Sequence, residues 1–259
     1  MYGTAIITGA SSGIGLELAR VFAREGYDLL ITARRDKRLK QLKKELESTF
    51  NINVYAFKLN LTEEDAGSKL FHYAEKNELD ITVLVNNAGV GDYGFFHKSE
   101  WTRQLQIINL NITALTHLTH LFLPVLMKNK KSSILNVASV AAFQPGPLMS
   151  VYYASKHYVL AFSEALANEL EHSGVTVTTL CPGPTESEFQ KIANMQKSKL
   201  FDRFAVPSSK QVAEYGYKSM KKGKRVAIYG LHNKFLPKLI GLFPRNFVTA
   251  TVRKIQERK

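Results

Sequence analysis

Short aliphatic and β-branched runs alternate along this chain with longer stretches whose apolar positions recur at helical spacing. The runs predict strands at residues 4–8, 28–33, 53–59, 81–86, 133–138 and 175–180, with a candidate seventh at 225–229. The stretches between them predict helices at 14–24, 36–49, 63–76, one long helix or a pair over 100–129, then 152–172 and 209–221. Most of the strand runs are hydrophobic throughout, as in Ala5-Ile6-Ile7 or Val83-Leu84-Val85, which is the pattern of strands buried on both faces. Strands alternating with helices make βαβ units, and right-handed crossovers wind them into an open sheet that binds ligands beyond the carboxyl ends of its strands. The expected fold is therefore α/β, a Rossmann-like doubly wound parallel sheet of about seven strands with helices on both faces, in a single domain. No repeat, low-complexity tract or long Pro/Gly linker divides it. Residues 1–230 carry the repeating units and the candidate site, and 231–259 read as a basic amphipathic extension packed on the same domain or on a neighbouring subunit.

Composition supports a globular protein: of 259 residues, 45% are hydrophobic and 22% charged. The single cysteine, Cys181, cannot form an internal disulfide, and the strand-like start leaves no room for a signal peptide, so a cytoplasmic protein is expected. The longest apolar stretch, 118–127, falls short of the roughly 20 residues that span a bilayer, so no transmembrane helix is expected. The net charge of +13 is unevenly placed: residues 210–259 hold 13 Lys or Arg against Glu214 and Glu257. That asymmetry suggests an anionic partner or a solvated face.

The first strand runs into Thr8-Gly9-Ala10-Ser11-Ser12-Gly13-Ile14-Gly15 and straight on into a helix. Glycines there let the backbone turn sharply and approach a pyrophosphate, which the amides and dipole of the helix N-terminus attract. The spacing, Gly-x3-Gly-x-Gly, differs from the general dinucleotide fingerprint, and its place between strand and helix gives it weight. Tyr152 and Lys156 lie four apart on a predicted helix and so project from one face, while Ser139 follows directly on a buried strand. Tyr153 has His157, not Lys, at the same offset, so only Tyr152 makes Tyr-x3-Lys.

With these motifs the chain resembles the short-chain dehydrogenase/reductase family, whose first βα turn reads TGxxxGxG. The resemblance recurs at Asn86-Asn87-Ala88-Gly89, similar to the family's NNAG element, and at Pro182-Gly183-Pro184-Thr185, similar to its PG turn; it runs over roughly residues 3–230. It implies a cofactor site made by Gly9, Ser11, Ser12, Gly13, Ile14, Gly15, Asn87, Ala88, Gly89, Tyr152, Lys156, Pro182, Gly183 and Thr185. The end of the second strand decides the cofactor, because a carboxylate there binds ribose hydroxyls whereas Arg holds a 2′-phosphate. The acidic position falls on Ala33 and is followed by Arg34 and Arg35, which favours NADP(H). Those arginines otherwise begin a basic helix, and Asp36 is expected to cap it. In Leu59-Asn60-Leu61 the family's usual Asp is replaced by Asn60, whose amide oxygen still accepts a bond from adenine.

The resemblance also implies a catalytic tetrad of Asn111, Ser139, Tyr152 and Lys156, none of them substituted. A phenol of pKa about 10 exchanges protons poorly near neutrality unless a cation favours its phenolate. Tyr152 is then the general acid or base, Ser139 a donor to the reacting oxygen, Lys156 the cation and ribose ligand, and Asn111 the anchor of a proton-relaying water. No metal is called for: His117 and His120, three apart on a helix, have no Cys or acidic cluster beside them and read as a packed or surface pair, and Cys181 reads as a small buried thiol.

Loops after the fourth to sixth strands carry Tyr93, Phe95, Phe96, Phe143, Pro145, Leu148, Met149, Phe189, Ile192, Met195, Phe201 and Phe204, which suggests a hydrophobic carbonyl or alcohol substrate under a lid at 188–204. The last segment has three readings: packing on its own or a neighbouring subunit, peripheral contact with an anionic membrane through 231–259, or attraction of an anionic thioester substrate. No nucleic-acid module accompanies its charge, so nucleic acid is not an expected partner. The resemblance implies a homodimer or homotetramer pairing through helices 100–129 and 152–172. The rival to an enzyme is a non-enzymatic NADP(H) sensor or scaffold that docks through the basic segment.

Overall fold

In the strand β1, Thr4–Thr8, every residue is buried, and Ile6 and Ile7 point into different cores on opposite faces of the sheet. That two-sided burial is what the unbroken aliphatic runs encode. The computed structural model describes residues 2–189, 193 and 206–257. Besides β1, its strands are β2 Asp28–Ala33, β3 Val54–Lys58, β4 Ile81–Asn86, β5 Ser132–Val137, β6 Val175–Cys181 and β7 Val226–Ile228. They form one seven-stranded, all-parallel sheet in the order β3-β2-β1-β4-β5-β6-β7. The order reverses between β1 and β4, which opens the crevice where ligands of such sheets bind.

One face is covered by α1 Gly13–Arg24, α2 Asp36–Thr49 and α7 Ser209–Lys221, whose Phe22, Leu39, Leu42 and Val212 pack on Ile7, Ile31 and Val85. The other face is covered by α3 Ala66–Lys76, α5 Leu115–Lys128 and α6 Ser150–Glu169. Leu70, Leu118, Phe122 and Leu166 meet Ile6, Leu30, Leu84 and Ile134 there. Each fully buried Leu or Phe stabilises the fold by about 1.5–3 kcal/mol.

The predicted helix over 100–129 resolves into α4 Trp101–Ile108, a π-helical turn Asn109–Ala114 and α5, continuous from Trp101 to Lys128. Joined in this way it becomes long and apolar enough to cross a bilayer by length and composition, although its most apolar stretch alone is not. Leu115, Leu118, Phe122 and Leu126 are buried, the last three packed onto the sheet face, which makes it a core helix. The helix α6 begins at Ser150, two residues before the expected start. Asp36 is the first residue of α2 rather than its cap, Arg35 being the N-cap, and it pairs with Lys40 at 2.7 Å. Past β7 the chain forms α8 Leu231–Ile240 and α9 Arg245–Gln256, the second of which the sequence pattern did not reveal.

Candidate active site

Where β1 ends, the chain turns through Gly9 and enters α1. Gly9 has φ +70°, and a Cβ on it would lie 2.8 Å from Asn87 Nδ2 and 2.9 Å from Ala88 Cα. A Cβ on Gly15 would lie 2.5 Å from Gly9 O, so both positions must lack one for the loop to seat against β4. The Asn87 amide donates to Thr8 O at 2.8 Å, and Thr8 Oγ1 accepts from the backbone N–H groups of Asn87 and Ala88, each at 3.0 Å. These bonds tie the glycine turn to the Asn87-Ala88-Gly89 element across the crevice. The N-cap of α1, Ser12, makes no side-chain cap bond and the first turn has no acidic residue. First-turn amides with no side-chain cap suit a pyrophosphate, so this end of the crevice fits a dinucleotide.

At the tip of β2, Arg35 donates through Nε and Nη2 to Ser11 Oγ (3.1 and 3.0 Å) and through Nη2 to Ser12 Oγ (2.6 Å). Its Nη1 donates to Glu188 Oε2 at 2.6 Å, and Arg38 Nη1 donates to Glu188 Oε1 at 2.7 Å. Those two guanidinium groups hold the Glu188 carboxyl far below the usual carboxylate range, at about 2. Arg34 is exposed at the same strand end. Asn60 Oδ1 accepts from Thr62 Oγ1 at 3.0 Å and from Thr62 N at 3.4 Å, so an adenine amino group would have to compete with Thr62 for it. Leu61 is buried in the core below. Across the crevice, Thr185 Oγ1 donates to Gly183 O at 3.0 Å and Pro182 O accepts from Val140 N at 2.9 Å.

The proton-transfer candidates converge at the ends of β5 and β6. Ser139 leaves β5 extended, and its Oγ accepts from Ala141 N at 3.1 Å and interacts with the Tyr152 phenol. Tyr152 is raised well above an ordinary phenol, first by burial and secondarily by Tyr153, with the Ser139 bond acting the other way. Lys156, one turn along α6, is 5% exposed and donates to Val137 O at 2.8 Å. Its Nζ lies 5.8 Å from the centroid of the Tyr152 ring, and burial lowers its pKa to about 8. Asn111 sits in the π-helical turn, a feature frequent at functional sites. Its side chain makes three bonds: Nδ2 donates to Val90 O (2.9 Å) and Ser155 Oγ (3.0 Å), and Oδ1 accepts from Val90 N (3.0 Å). A Cβ on Gly89 would lie 3.3 Å from Asn111 Oδ1 and 3.5 Å from Lys156 Nζ, so the three groups share one small space.

An apolar wall faces Tyr152. Ala141, Met149, Tyr153, Ala193, Val248 and Val252 form one cluster, with Tyr93, Tyr152 and Phe189 packed against it. The Phe189 ring centroid lies 5.3 Å from that of Tyr152. Of the pocket residues expected from sequence, Tyr93, Met149 and Phe189 are in this wall. Phe143 packs instead into the core beside Leu115 and Val159, and Phe95 and Phe96 are exposed. Ile192, Met195, Phe201 and Phe204, with most of the expected lid, lie outside the described residues.

Sequence reasoning missed α9 altogether. Its Gln256, 0% exposed, donates to the Tyr153 hydroxyl, and its backbone oxygen accepts from the Tyr93 hydroxyl at 2.6 Å. Arg253 stacks 4.8 Å over Phe95 at an open cavity of about 320 Å³ that Tyr93, Leu148 and Glu257 also line. The only signal in the sequence was the row Val248, Val252, Gln256 at four-residue spacing. His117 packs on Gly67, and among the described residues no group of three His, Cys, Asp or Glu gathers at one point. Cys181 is buried, and burial pushes its thiol up to about 12.

A parallel sheet with a glycine turn at its switch point and a phenol, hydroxyl and ammonium beyond its strand ends defines a nicotinamide-dependent oxidoreductase. The sequence signature of the short chain dehydrogenase family matches residues 3–198, most of the chain, and the protein belongs to that family. It is 37% identical over 193 residues to serine 3-dehydrogenase of Agrobacterium fabrum, which covers 73% of this chain and 74% of the relative. It is 34% identical over 211 residues to 17-beta-hydroxysteroid dehydrogenase type 3 of Mus musculus, covering 80% of this chain and 68% of that one. A short-chain dehydrogenase from Sphingobium yanoikuyae, solved in complex with NADPH, superposes with a TM-score of 0.84 at 30% identity over 99% of both chains.

Proposed function

We propose that this protein is an NADP(H)-dependent reductase of hydrophobic ketones or aldehydes, or the dehydrogenase of the corresponding secondary alcohols, with Tyr152 as general acid and base. The observation that carries the reading is the convergence of Tyr152, Ser139 and Lys156 beside an apolar wall. When bound, the nicotinamide cofactor supplies or accepts the hydride. In reduction, Tyr152 Oη gives its proton to the substrate oxygen while Ser139 Oγ donates to the same atom and steadies its developing charge. Burial by itself makes the phenol a weaker acid, and the Ser139 bond works against that shift. Lys156, still charged at pH 7 with a pKa of about 8, stabilises the phenolate as the proton leaves. Val137 O takes one of its three N–H bonds, and the other two are free for a ribose hydroxyl and for a water that restores the proton to Tyr152. Asn111 Nδ2 is committed to Val90 and Ser155, while its Oδ1 accepts one bond from Val90 N and has a second lone pair to offer that water. In oxidation the same groups run in reverse.

Arg35, Arg38, Ser11 and Ser12 offer the donors that a 2′-phosphate needs, and no carboxylate stands at Ala33, which supports NADP(H) over NAD(H). The substrate class rests on Tyr93, Met149, Phe189, Val248 and Val252. A homodimer through the long helices is supported by Trp101, Leu105 and Met127, exposed on α4 and α5.

A second feature bears on where the substrate comes from. Leu231, Phe235 and Leu239 on α8, Leu242 and Phe243 in the turn after it, and Phe247 on α9 are all exposed, in a stretch that also exposes the cations Lys234, Arg245 and Lys254. Apolar groups interspersed with cations fit an anionic membrane surface, and the basic excess disfavours self-pairing of this face. We read the protein as a cytoplasmic enzyme that rests peripherally on such a surface.

The deciding experiment is turnover of NADPH with a panel of apolar ketones by the wild type and by Tyr152→Phe. Loss of about 10²–10⁴-fold in kcat with NADPH binding intact is expected. Equal turnover by the variant would overturn the reading, and NADPH binding without turnover by either protein would favour the sensor.

A further inference from the structure

A carboxylate reaches the adenosine end of the crevice from the side opposite β2, the strand on which an NAD-type site carries one. Glu188 follows β6 and reaches across to Arg35 (2.6 Å) and Arg38 (2.7 Å), one oxygen to each guanidinium. Arg35 is at the same time held by both loop serines, Ser11 and Ser12. Two guanidinium groups and two hydroxyls within one cluster form the donor set of a phosphate site, and an anion from the protein itself now bridges it.

We propose that Glu188 is a specificity-determining residue that acts as an internal counter-anion: it occupies the Arg35–Arg38 pair in the cofactor-free enzyme and must be displaced by the 2′-phosphate. The assignment rests on the NADP(H) reading above for its biological meaning, but its physical content is a competition between two anions. A dianionic phosphate with three acceptor oxygens outbids a carboxylate for two guanidinium groups and also accepts from Ser11 and Ser12. A ribose that ends in a neutral 2′-hydroxyl cannot, so it leaves the Glu188 bridge intact and gains nothing from the arginines. The carboxylate therefore lowers affinity for the phosphorylated cofactor while keeping the arginines together and half-neutralised when no cofactor is present. It also links the cofactor end of the site to the chain that continues from β6 through Phe189, whose ring lies beside Tyr152. Displacing Glu188 is thus felt one residue away from the substrate wall.

The three side chains are 40–47% exposed, so each ion pair is partly screened and the effect is moderate. The test is titration calorimetry of wild type, Glu188→Gln and Arg35→Ala with 2′,5′-ADP, with ADP, and with NADPH and NADH. Glu188→Gln should bind 2′,5′-ADP and NADPH about three- to tenfold more tightly, the scale of one or two exposed ion pairs, with ADP and NADH within about twofold of wild type. Arg35→Ala should weaken the phosphorylated ligands and cancel the gain in the double variant. Unchanged or weaker binding of 2′,5′-ADP by Glu188→Gln would overturn the proposal, because Glu188 would then be neutral or would be holding Arg35 in its productive place. If wild type binds NADPH no better than NADH while Glu188→Gln still tightens 2′,5′-ADP, the counter-anion stands and the NADP(H) reading falls.

Discussion

The sheet body and the two C-terminal helices are built on opposite terms. In the body, β1, β2 and β4 are almost wholly buried and apolar, and ion pairs such as Arg20–Glu45 stay at the surface. In α8 and α9 the large apolar side chains are outside, while a polar one, Gln256, is fully buried. The strands of the body follow the ordinary rule that apolar groups go in, whereas the tail turns Val248 and Val252 inward but leaves larger apolar side chains outside. The departure has a location: Gln256 is buried against Tyr153, next in sequence to the phenol of the site, and Asn233 of α8 packs on Gly183 in the turn after β6. The tail thus packs, through Val248, Val252 and Gln256, beside the residues proposed to carry the chemistry.

The comparison is sharpened most strongly at Lys156. Replacing it with Met should cost about 10²–10⁴-fold in kcat, since the phenolate loses its cation. The same change should stabilise the cofactor-free protein at pH 7, because a buried ammonium is costly and a Met of similar length is not. The sign follows from the shift. Lys156 has a folded pKa of about 8 against the ordinary 10.5 of a lysine, so between these values the unfolded chain binds more protons and stability rises with pH. The advantage of Lys156→Met should therefore be full below pH 8 and fade by about pH 10.5, read by urea unfolding across pH 7–10. A variant that is both inactive and less stable at pH 7 would show that Lys156 holds the fold rather than the chemistry.

A subtler test lies where the two regions meet. Gln256→Leu keeps the volume but strips the Tyr153 hydroxyl and the buried end of α9 of a partner, which costs about 1–3 kcal/mol. If the tail closes the substrate side, KM for an apolar ketone rises several-fold while kcat and NADPH affinity stay within about twofold, a split that a general loss of stability would not produce. Equal falls in kcat and kcat/KM would instead place Gln256 in the proton-transfer machinery through Tyr153.

How legible each part was in the sequence follows from the same contrast. All seven strands, the last as a candidate, could be read because two-faced burial writes unbroken aliphatic runs, and the Tyr152–Lys156 pair stood out as one helical turn, whereas Asn111 was singled out by the family resemblance alone. Strand bounds missed by one residue, as at β3 and β5, because the ends of a strand carry no distinct burial pattern. The first strand of the sheet and its glycine turn were plain for the further reason that Gly9 and Gly15 have no tolerable substitute against Asn87 and Gly9 O. What stayed hidden depends on contacts between distant segments. Glu188 meets Arg35 across 153 positions, and Gln256 meets Tyr153 across 103. No periodicity records such pairs, and the basic, interrupted sequence after Gly230 masked the buried row of α9. The capping assignment of Asp36 failed because the turn after Ala33 puts Arg35 at the N-cap and spends its side chain on the glycine loop.

The smallest effect on the folded molecule should accompany the largest effect on where it goes. Phe235→Ser and Leu239→Ser remove apolar groups that are 60% and 52% exposed, so unfolding free energy should move by no more than about 0.5 kcal/mol. If those groups rest on a membrane, the double variant should lose sedimentation with vesicles containing phosphatidylserine, whereas the wild type sediments at low salt and is released as salt rises, because the cations around Lys234 and Arg245 supply the screened part of the attraction. Turnover of a water-soluble ketone should be the same for both proteins, and turnover of a ketone dissolved in the vesicles should fall only for the variant. Equal sedimentation would remove the membrane from the account, and a wild type that stays in solution but sediments as a larger oligomer than the variant would assign the face to a second copy of the chain. The contrast between body and tail would survive either result, since it rests on the exposed apolar groups of the tail, but the reason for their exposure would then be assembly rather than a lipid surface.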